Sequence, residues 1–298
     1  MFSICIPIYN YDVGELAQRL HRQALHTGQA FEILLADDAS KEKYRQVNSA
    51  IDLPYLRYIQ LTENVGRSKI RNCLVQAAKY PYLIFMDCDS AVPSEAYIDN
   101  YIPYFKENIV CYGGRIYEEK RPHDTKYLRW KYGVKRESIP AEKREKNSNF
   151  GFMTCNFLMY KPLLKKLPFD ETIREYGHED TLLGLQLLGE DIQIQHIDNP
   201  LVHLGLEDAD VFVAKTEKAV ANLRKIEKIL NEKYPRYVNH SKLIRMELKL
   251  RKWRLIPLAA IVFLIFKHLI KSNLLSKRPS LFLFDLYKLG TLCCLART

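Results

Sequence analysis

Short apolar runs alternate with stretches of helical spacing through the first third of the chain. Ile4–Ile8, Phe31–Ala36, Leu56–Gln60 and Tyr82–Met86 are compact apolar runs bounded by turn-forming residues, the pattern of β-strands. Between and after them, Val13–His26, Ser68–Lys79 and Ser94–Lys106 carry apolar residues at helical intervals. Pro93-Ser94 reads as the start of the last of these, and Ser68 as the cap of the second. Strands alternating with helices predict a parallel sheet joined by right-handed crossovers. Phe2–Pro7 has no basic leader, long apolar region or cleavage site, and reads as a first strand rather than a signal peptide.

The second half is less regular. Phe150–Tyr160 is strand-like, and Lys161-Pro162-Leu163-Leu164 opens a short helix. Tyr176-Gly177-His178-Glu179-Asp180 precedes a helix whose apolar positions 182, 183, 185, 187 and 188 bury one side. Lys135–Asn149, rich in charge and interrupted by Pro140, reads as a loop: a lid over a bound ligand or a plain surface connection. Further on, Val211–Lys233 has helical spacing and Tyr237–Arg254 forms a basic helix. Leu255–Phe266 is an apolar block of twelve residues, too short to span a bilayer, and Leu281–Leu295 is a second apolar stretch broken by Asp285 and Lys288.

Charge sharpens the division. The 298-residue chain carries a formal net charge of +10, yet residues 236–298 alone hold 13 Lys and Arg against 2 Asp and Glu. The body is therefore near neutral and the tail strongly basic. Aliphatic stretches flanked by Lys and Arg suit helices lying in the interface of an anionic membrane, the plainer reading being a helical subdomain with a basic face. Aliphatic rather than aromatic interleaving argues against nucleic acid. With 47% hydrophobic and 27% charged residues the chain is that of a folded protein, and seven cysteines without metal-site spacing read as reduced core thiols of a cytosolic compartment.

The candidate chemistry gathers at strand ends. Pro7-Ile8-Tyr9-Asn10, Asp37-Asp38-Ala39-Ser40 and Asp87-Cys88-Asp89 follow three predicted strands, and strand carboxyl ends of a parallel sheet line a common cleft suited to a nucleotide. Neither GxGxxG nor GxxxxGKS occurs, so the phosphates need another support. If Asp87 and Asp89 sit in an extended strand, both carboxylates face one side and can take Mg²⁺ or Mn²⁺; otherwise they are helix-capping acids. Gly66 permits a tight turn before a helix carrying Arg71, a cation that faces a diphosphate or, more plainly, solvent. Glu179 and Asp180 open a helix, a position that favours ionised carboxylates.

Taken in order, Ser3–Asn10, Leu35–Ser40, Asn64-x-Gly66-x-x-x-x-Arg71-Asn72 and Asp87-x-Asp89 resemble the family 2 glycosyltransferases of the GT-A fold, over about residues 1–210. The resemblance implies an α/β domain with a mostly parallel central sheet, divided into a nucleotide-binding half (1–112) and an acceptor and catalytic half (113–210), with a helical, basic extension over 211–298. It implies that Pro7, Tyr9 and Asp38 contact base and ribose, with Asn64 in the same donor site. Arg71 then lies near the diphosphate, and Asp87 and Asp89 reach the ribose and a divalent metal, Mn²⁺ or Mg²⁺. Asp180 matches the family's base, with Glu179 orienting the acceptor, and Asn156 lies on the acceptor side or is an ordinary hydrogen-bonded polar group. His203 is a third metal candidate, its plain alternative being a structural histidine in an apolar run. Ile70 departs from the usual small residue before the arginine, and the Gln-x-x-Arg-Trp motif of processive synthases is missing, which favours single addition.

The resemblance implies inverting transfer from a nucleotide-sugar, with UDP favoured, to a saccharide acceptor; the basic tail adds the inner face of the cell membrane and a growing acceptor, lipid-linked or at the surface, as in surface polysaccharide synthesis. Two rivals are a sugar-phosphate nucleotidyltransferase, which should carry a Gly-rich phosphate loop where Tyr9-Asn10-Tyr11-Asp12 stands, and a non-catalytic membrane or nucleic-acid binder.

Overall fold

The computed structural model describes residues 1–146, 148–173, 177–233 and 241–296. The first half keeps the alternation expected of it and adds a helix, α2, that was not expected: β1 (Phe2–Ile8), α1 (Gly14–His26), β2 (Phe31–Asp37), α2 (Glu42–Ser49), β3 (Leu56–Gln60), α3 (Arg67–Ala77) and β4 (Tyr82–Met86). There follow β5 (Ser90–Ala91), β6 (Val110–Tyr112), β7 (Arg115–Ile116), α4 (Tyr127–Tyr132), α5 (Ala141–Glu145), β8 (Asn156–Tyr160), α6 (Lys161–Lys166), α7 (Glu179–Gly189), β9 (Ile194–His196) and β10 (Leu201–His203). Among the described residues α8 (Ala209–Lys233), α9 (Lys242–Lys252), α10 (Ile256–Leu274) and α11 (Leu281–Leu295) follow.

Seven strands form the main sheet in the order β3-β2-β1-β4-β8-β6-β9. The first four are mutually parallel, β8 runs antiparallel to β4 and β6, and β9 is parallel to β6. A small second sheet, β5-β10-β7, carries residues that follow β4 and β6. The central strands β1, β4 and β8 are almost wholly apolar because the main sheet is covered there on both faces, whereas β3 at the edge carries Arg57 and Gln60. Phe2, Ile4, Ile6 and Ile8 of β1 pack with Leu16 and Leu20 of α1, while Cys5 joins Leu74, Phe85 and Phe157 on the other side.

Several expectations are corrected. Ser94–Lys106 is not an α-helix: Asp99–Tyr104 forms a 3₁₀ helix containing Pro103, which lacks the donor an α-helical turn requires. Ser68 does not cap α3, whose N-cap is Gly66 at φ 85; Ser68 is buried one residue inside the helix start. The charged stretch 135–149 is not an open loop. It holds a π-helical turn, Gly133–Glu137, and α5, whose Arg144 is buried and donates to the Ile197 carbonyl at 2.8 Å. The twelve-residue apolar block does not stop at Phe266, since α10 continues through Lys267 and His268 to nineteen residues. α9 begins at Lys242 with Ser241 as its cap, and residues 237–240 of the expected basic helix lie outside the described residues, as does Tyr176.

The chain forms two compact units: Met1–Glu118, Glu137–Arg174 and Glu179–Gly205 in the first, and Glu119–Arg136, Glu175–His178 and Leu206–Thr298 in the second. The first contains both sheets. The second is helical and its core is built by Leu128 of α4, Phe212 and Val213 of α8, Phe263 and Leu274 of α10, and Phe284 and Tyr287 of α11. All seven cysteines are free thiols.

Candidate functional site

The loops after β1, β2 and β3 are fastened to one another by backbone-directed side chains. Asn10, at φ 54, accepts from the Lys41 amide through its side chain (2.8 Å), while its own amide donates to Ser40 Oγ (2.8 Å). Asp38 accepts from the amides of Val65 (2.7 Å) and Gly66 (3.1 Å), and Asn64 Nδ2 donates to the Asp38 carbonyl (3.2 Å). Burial nevertheless leaves the Asp38 carboxyl above its ordinary pKa. A cavity of about 210 Å³ opens beside this loop, lined by Glu63, Asn64, Val65, Gly66, Lys69 and Glu171. Tyr9 is half-exposed at the end of β1, and Pro7 is partly exposed within the strand.

The expectation for Asp87 and Asp89 changes. The strand ends at Met86 and residues 88 and 89 form a turn, so strand alternation no longer governs the two carboxylates. Asp87 lies between two guanidiniums: Oδ1 accepts from Arg71 Nη2 and Oδ2 from Arg115 Nη2, each at 2.9 Å. Asp89 instead faces His203, with Oδ1 and Nδ1 3.5 Å apart. Cys88, between them, is packed into the apolar layer under β1, and burial with the Asp89 charge pushes its thiol up to about 12.

Arg71 holds two parts of the site together. Buried on α3, it pairs with Asp87 and lies 3.8 Å from Glu179 Oε1 at the start of α7; Arg67 reaches the same oxygen at 3.4 Å. Asn72, next along α3, exchanges hydrogen bonds with the Phe169 backbone and donates to Glu171. Burial alone would raise the Glu179 pKa, but the Arg67 and Arg71 charges outweigh it and hold the carboxyl below the usual range. Asp180 shows the opposite balance. Burial, then the neighbouring Glu179 charge, push it up to about 7, against the Thr181 amide that its Oδ1 accepts from at 2.7 Å. Two adjacent carboxylates are thus driven apart, one fixed as an ion and one poised to exchange a proton near neutrality.

Of the two readings of Asn156, its surroundings are those of the ordinary hydrogen-bonded polar group. Asn156 is fully buried; its Oδ1 accepts from Tyr97 and Tyr101 hydroxyls at 2.7 Å each, and its Nδ2 donates to Gly114 (2.8 Å) and Asn199 (2.9 Å) carbonyls. Every polar atom of the amide is used, so it fixes the 113–114 turn and has nothing left for a ligand. That turn delivers Arg115, which the sequence reading missed. Gly113-Gly114 is the available signal: a Cβ at Gly113 would meet the Asn199 carbonyl at 2.5 Å, and Gly114 has φ 98. Arg115 is backed by Glu137 at 3.7 Å; Tyr117, two residues on, bonds Glu137 and packs edge-on against the His203 ring.

The donor set at Asp89 and His203 suits a divalent cation. Asp89 Oδ1 and His203 Nδ1 are buried, face each other beyond normal hydrogen-bond reach and have no hydrogen-bond partner. Burial raises the Asp89 pKa, but His203, then Arg115 and Arg67, overcome this and keep it ionised well below the carboxylate range. A carboxylate oxygen suits either Mn²⁺ or Mg²⁺, ions that commonly take one or two carboxylates and complete their shell with phosphate and water, and the imidazole nitrogen beside it favours Mn²⁺. Among the described residues no cluster of three or more His, Cys, Asp or Glu side chains is placed to bind a metal unaided. Asp87 is engaged elsewhere.

Residues 3–167 match the family described as glycosyl transferase family 2, more than half of the chain. The chain belongs to this family. Its seven-stranded sheet has the GT-A architecture. Among curated proteins it is similar to a chondroitin synthase of Pasteurella multocida (strain Pm70), 26% identical over 245 residues, covering 67% of this chain and 24% of that protein. A chondroitin synthase of Escherichia coli is 29% identical over 130 residues, 41% of this chain and 18% of that one. The chain thus spans about a quarter or less of the length of these relatives. Among solved structures, the mannosyltransferase PcManGT from Pyrobaculum calidifontis in complex with GDP-Man and Mn²⁺ superposes with a TM-score of 0.60 at 14% identity, covering 99% of this chain and 86% of that one. S. aureus TarS 1–349 in complex with UDP gives 0.51 at 18% identity, covering 99% and 91%.

Gly205 tests the fit at Asp89. A Cβ there would lie 2.0 Å from Asp89 Oδ2, and the Leu204 amide donates to the Asp89 carbonyl at 2.8 Å. Gly205→Ala should therefore displace the carboxylate while leaving the sheet intact. The expected result is a folded protein by circular dichroism whose thermal midpoint no longer rises with nucleotide and Mn²⁺ together.

Proposed function

We propose that this chain transfers a sugar from a nucleoside-diphosphate sugar to a hydroxyl of a saccharide acceptor, with inversion and with a divalent metal. The observation that carries the reading is the ion chain Asp87–Arg71–Glu179, which gathers the turn bearing Asp89 and the helix start bearing Asp180 around one buried guanidinium. Asp180 takes the proton of the acceptor hydroxyl as that oxygen forms a bond to the anomeric carbon. The bond from that carbon to the diphosphate oxygen breaks, and its electron pair leaves with the nucleoside diphosphate. One displacement inverts the centre. Asp89 and His203 are the residues that would hold Mn²⁺ or Mg²⁺, and the ion's contribution when bound is to offset charge on the leaving diphosphate. Arg71 and Arg67 add positive charge on that side, while Glu179, kept ionised by both, orients the acceptor.

The loops carrying Pro7, Tyr9, Asp38 and Asn64 would take base and ribose, with the 210 Å³ cavity beside Asn64 as part of that donor site. UDP is the nucleotide proposed: TarS is bound to UDP, whereas GDP-Man accompanies Mn²⁺ in the mannosyltransferase, and GDP is the alternative to exclude. A saccharide acceptor agrees with the chondroitin synthase relatives. The strongly basic, aliphatic C-terminal region supports work at the inner, anionic face of a membrane, where lipid-linked saccharides are met.

The test is thermal unfolding with UDP, GDP, CDP and dTDP, each with and without Mn²⁺. A rise in midpoint for UDP that requires Mn²⁺, and is lost in Asp89→Ala, is the expected outcome, because a ligand that binds only the folded state stabilises it by mass action. A shift for another nucleotide alone reassigns the donor. No shift with any nucleotide removes the donor site.

A further inference from the structure

Through Phe266, α10 is apolar on every side yet buries only one narrow stripe. Ile256, Ala260, Phe263, Lys267, Ile270 and Leu274 recur every three or four residues and face the helices of the second unit. Leu258, Ile261, Val262, Ile265 and Leu269 lie on the opposite side at the same spacing and are exposed, Ile265 at 67%. A groove of about 480 Å³ between α10 and α11 opens onto this face, floored by Phe263 and Gly290 and walled by Val262, Phe266 and Leu286. The two helices approach so closely there that a Cβ on Gly290 would meet the Phe263 ring at 2.2 Å.

Nineteen residues long, with a mean hydropathy of 1.4 over an 18-residue window, α10 is long and apolar enough to cross a bilayer. Of its two lysines, Lys267 argues for a different arrangement. Lys267 lies on the packed side of the helix, half-buried, pairs with Glu217 of α8 at 3.0 Å and lies over the Phe263 and Tyr287 rings; Glu217 also accepts from the Tyr287 hydroxyl at 2.6 Å. α8 carries Lys215 and Lys218 beside Glu217 and is a helix for water, not hydrocarbon. Threading α10 through a bilayer would strand Lys267 in hydrocarbon or pull α8 in with it. Laid flat, α10 keeps the pair and immerses only its outer face. Charge at both ends then serves the same leaflet: Lys252 and Arg254 precede the helix, Lys271 lies in its last turn, Lys277 and Arg278 follow it, and Trp253, 70% exposed, stands among the first group.

We propose that the outer face of α10, with the α10–α11 groove, docks in the plane of an anionic lipid leaflet, the groove taking a lipid hydrocarbon chain. The inference deepens the membrane reading above and does not depend on glycosyl transfer. The occupant follows from charge complementarity, each Lys or Arg near the surface strengthening attachment about fivefold.

The experiment is co-sedimentation of the full chain, purified without detergent, with vesicles of phosphatidylcholine alone or with phosphatidylglycerol. Binding to the anionic vesicles, roughly tenfold weaker in Ile261→Asp/Ile265→Asp and weaker again at high salt, is the expected result. Both isoleucines are exposed, so the double variant should keep the wild-type thermal midpoint and its nucleotide response, which separates failure here from failure of the donor-site reading. Lys252→Glu/Arg254→Glu, which touches no apolar packing, should lose the preference for anionic lipid. Equal binding by wild type and both variants overturns the proposal. So does a need for detergent to keep the chain in solution, which assigns α10 as a span, or a vesicle-independent dimer broken by Ile265→Asp, which gives the face to a second copy.

Discussion

Asp180→Asn should lower kcat by about 10²–10⁴-fold, the usual range for loss of a positioned proton acceptor, while the nucleotide-induced rise in thermal midpoint stays at the wild-type value. The amide keeps the shape of the carboxyl and its acceptor oxygen for the Thr181 amide, so binding geometry survives and proton transfer does not. The same carboxyl should write the pH profile. Its pKa is raised to about 7 by burial and by Glu179, so it is protonated, and unable to accept a proton, below that point. The rate is therefore expected to fall as pH drops through about 7 and to level off above it. Removing the Glu179 charge should weaken the upward push, so Glu179→Gln moves this limb to lower pH even as it impairs acceptor placement. A rate unchanged in Asp180→Asn would sink the assignment of the base, and a pH limb that survives the substitution would place the titration elsewhere.

Asp87→Ala should be among the most destabilising single changes available in the first unit. It strips the close partner from two guanidiniums at once, and the Arg71 and Arg115 side chains are only 3% and 12% exposed. Removing one partner of a buried charge pair costs about 3–5 kcal/mol; the residual contacts of Arg71 with Glu179 (3.8 Å) and of Arg115 with Glu137 (3.7 Å) put the expectation at the lower end. For a unit of this size that corresponds to a fall in midpoint of about 6–12 °C. The internal control is Glu95→Ala, which breaks an ion pair with Arg19 whose carboxylate is 83% exposed and should cost under about 1 kcal/mol. Equal shifts for the two variants would mean that Asp87 and its arginines do not brace the site. Activity should fall further than stability alone explains, because Arg71 loses its orientation toward Glu179 as well.

The local polymer physics of the first half was legible without a structure. β3, β4 and α11 fall on the ranges expected from apolar spacing, and β1, β2, α1 and α3 differ by a residue or two at their ends. These elements are long relative to their period and punctuated by turn residues, so local pattern and tertiary placement agree. The helix expected over Ser94–Lys106 failed because Tyr97, Ile98 and Tyr101 are buried against the sheet whatever helix type carries them, and Pro103 decides against α. α10 was cut short because Lys267 reads as a polar interruption; only α8, supplying Glu217, makes that ammonium acceptable inside an apolar helix.

The candidate site divides the same way. Asp38, Asn64, Arg71, Asp87, Asp89, Glu179, Asp180 and His203 could be named from residue type and order, because each stands at a strand end, a glycine turn or a helix start. Which of them meet could not. The turn at 88–89 sends Asp87 to Arg71 and Arg115 and Asp89 to His203, a separation of roles that strand alternation had merged. Asn156 and Arg115 changed places in importance for one reason: β8 and the 113–114 turn bury the amide among four hydrogen bonds and extend the guanidinium to Asp87. Sequence by itself determined the elements, the charge division between body and tail, and the inventory of acids and bases, all of which rest on neighbours a few residues apart. Tertiary structure decided the pairings, the opposed pKa directions of Glu179 and Asp180 and the orientation of Lys267, since each depends on desolvation and on charges brought from distant parts of the chain.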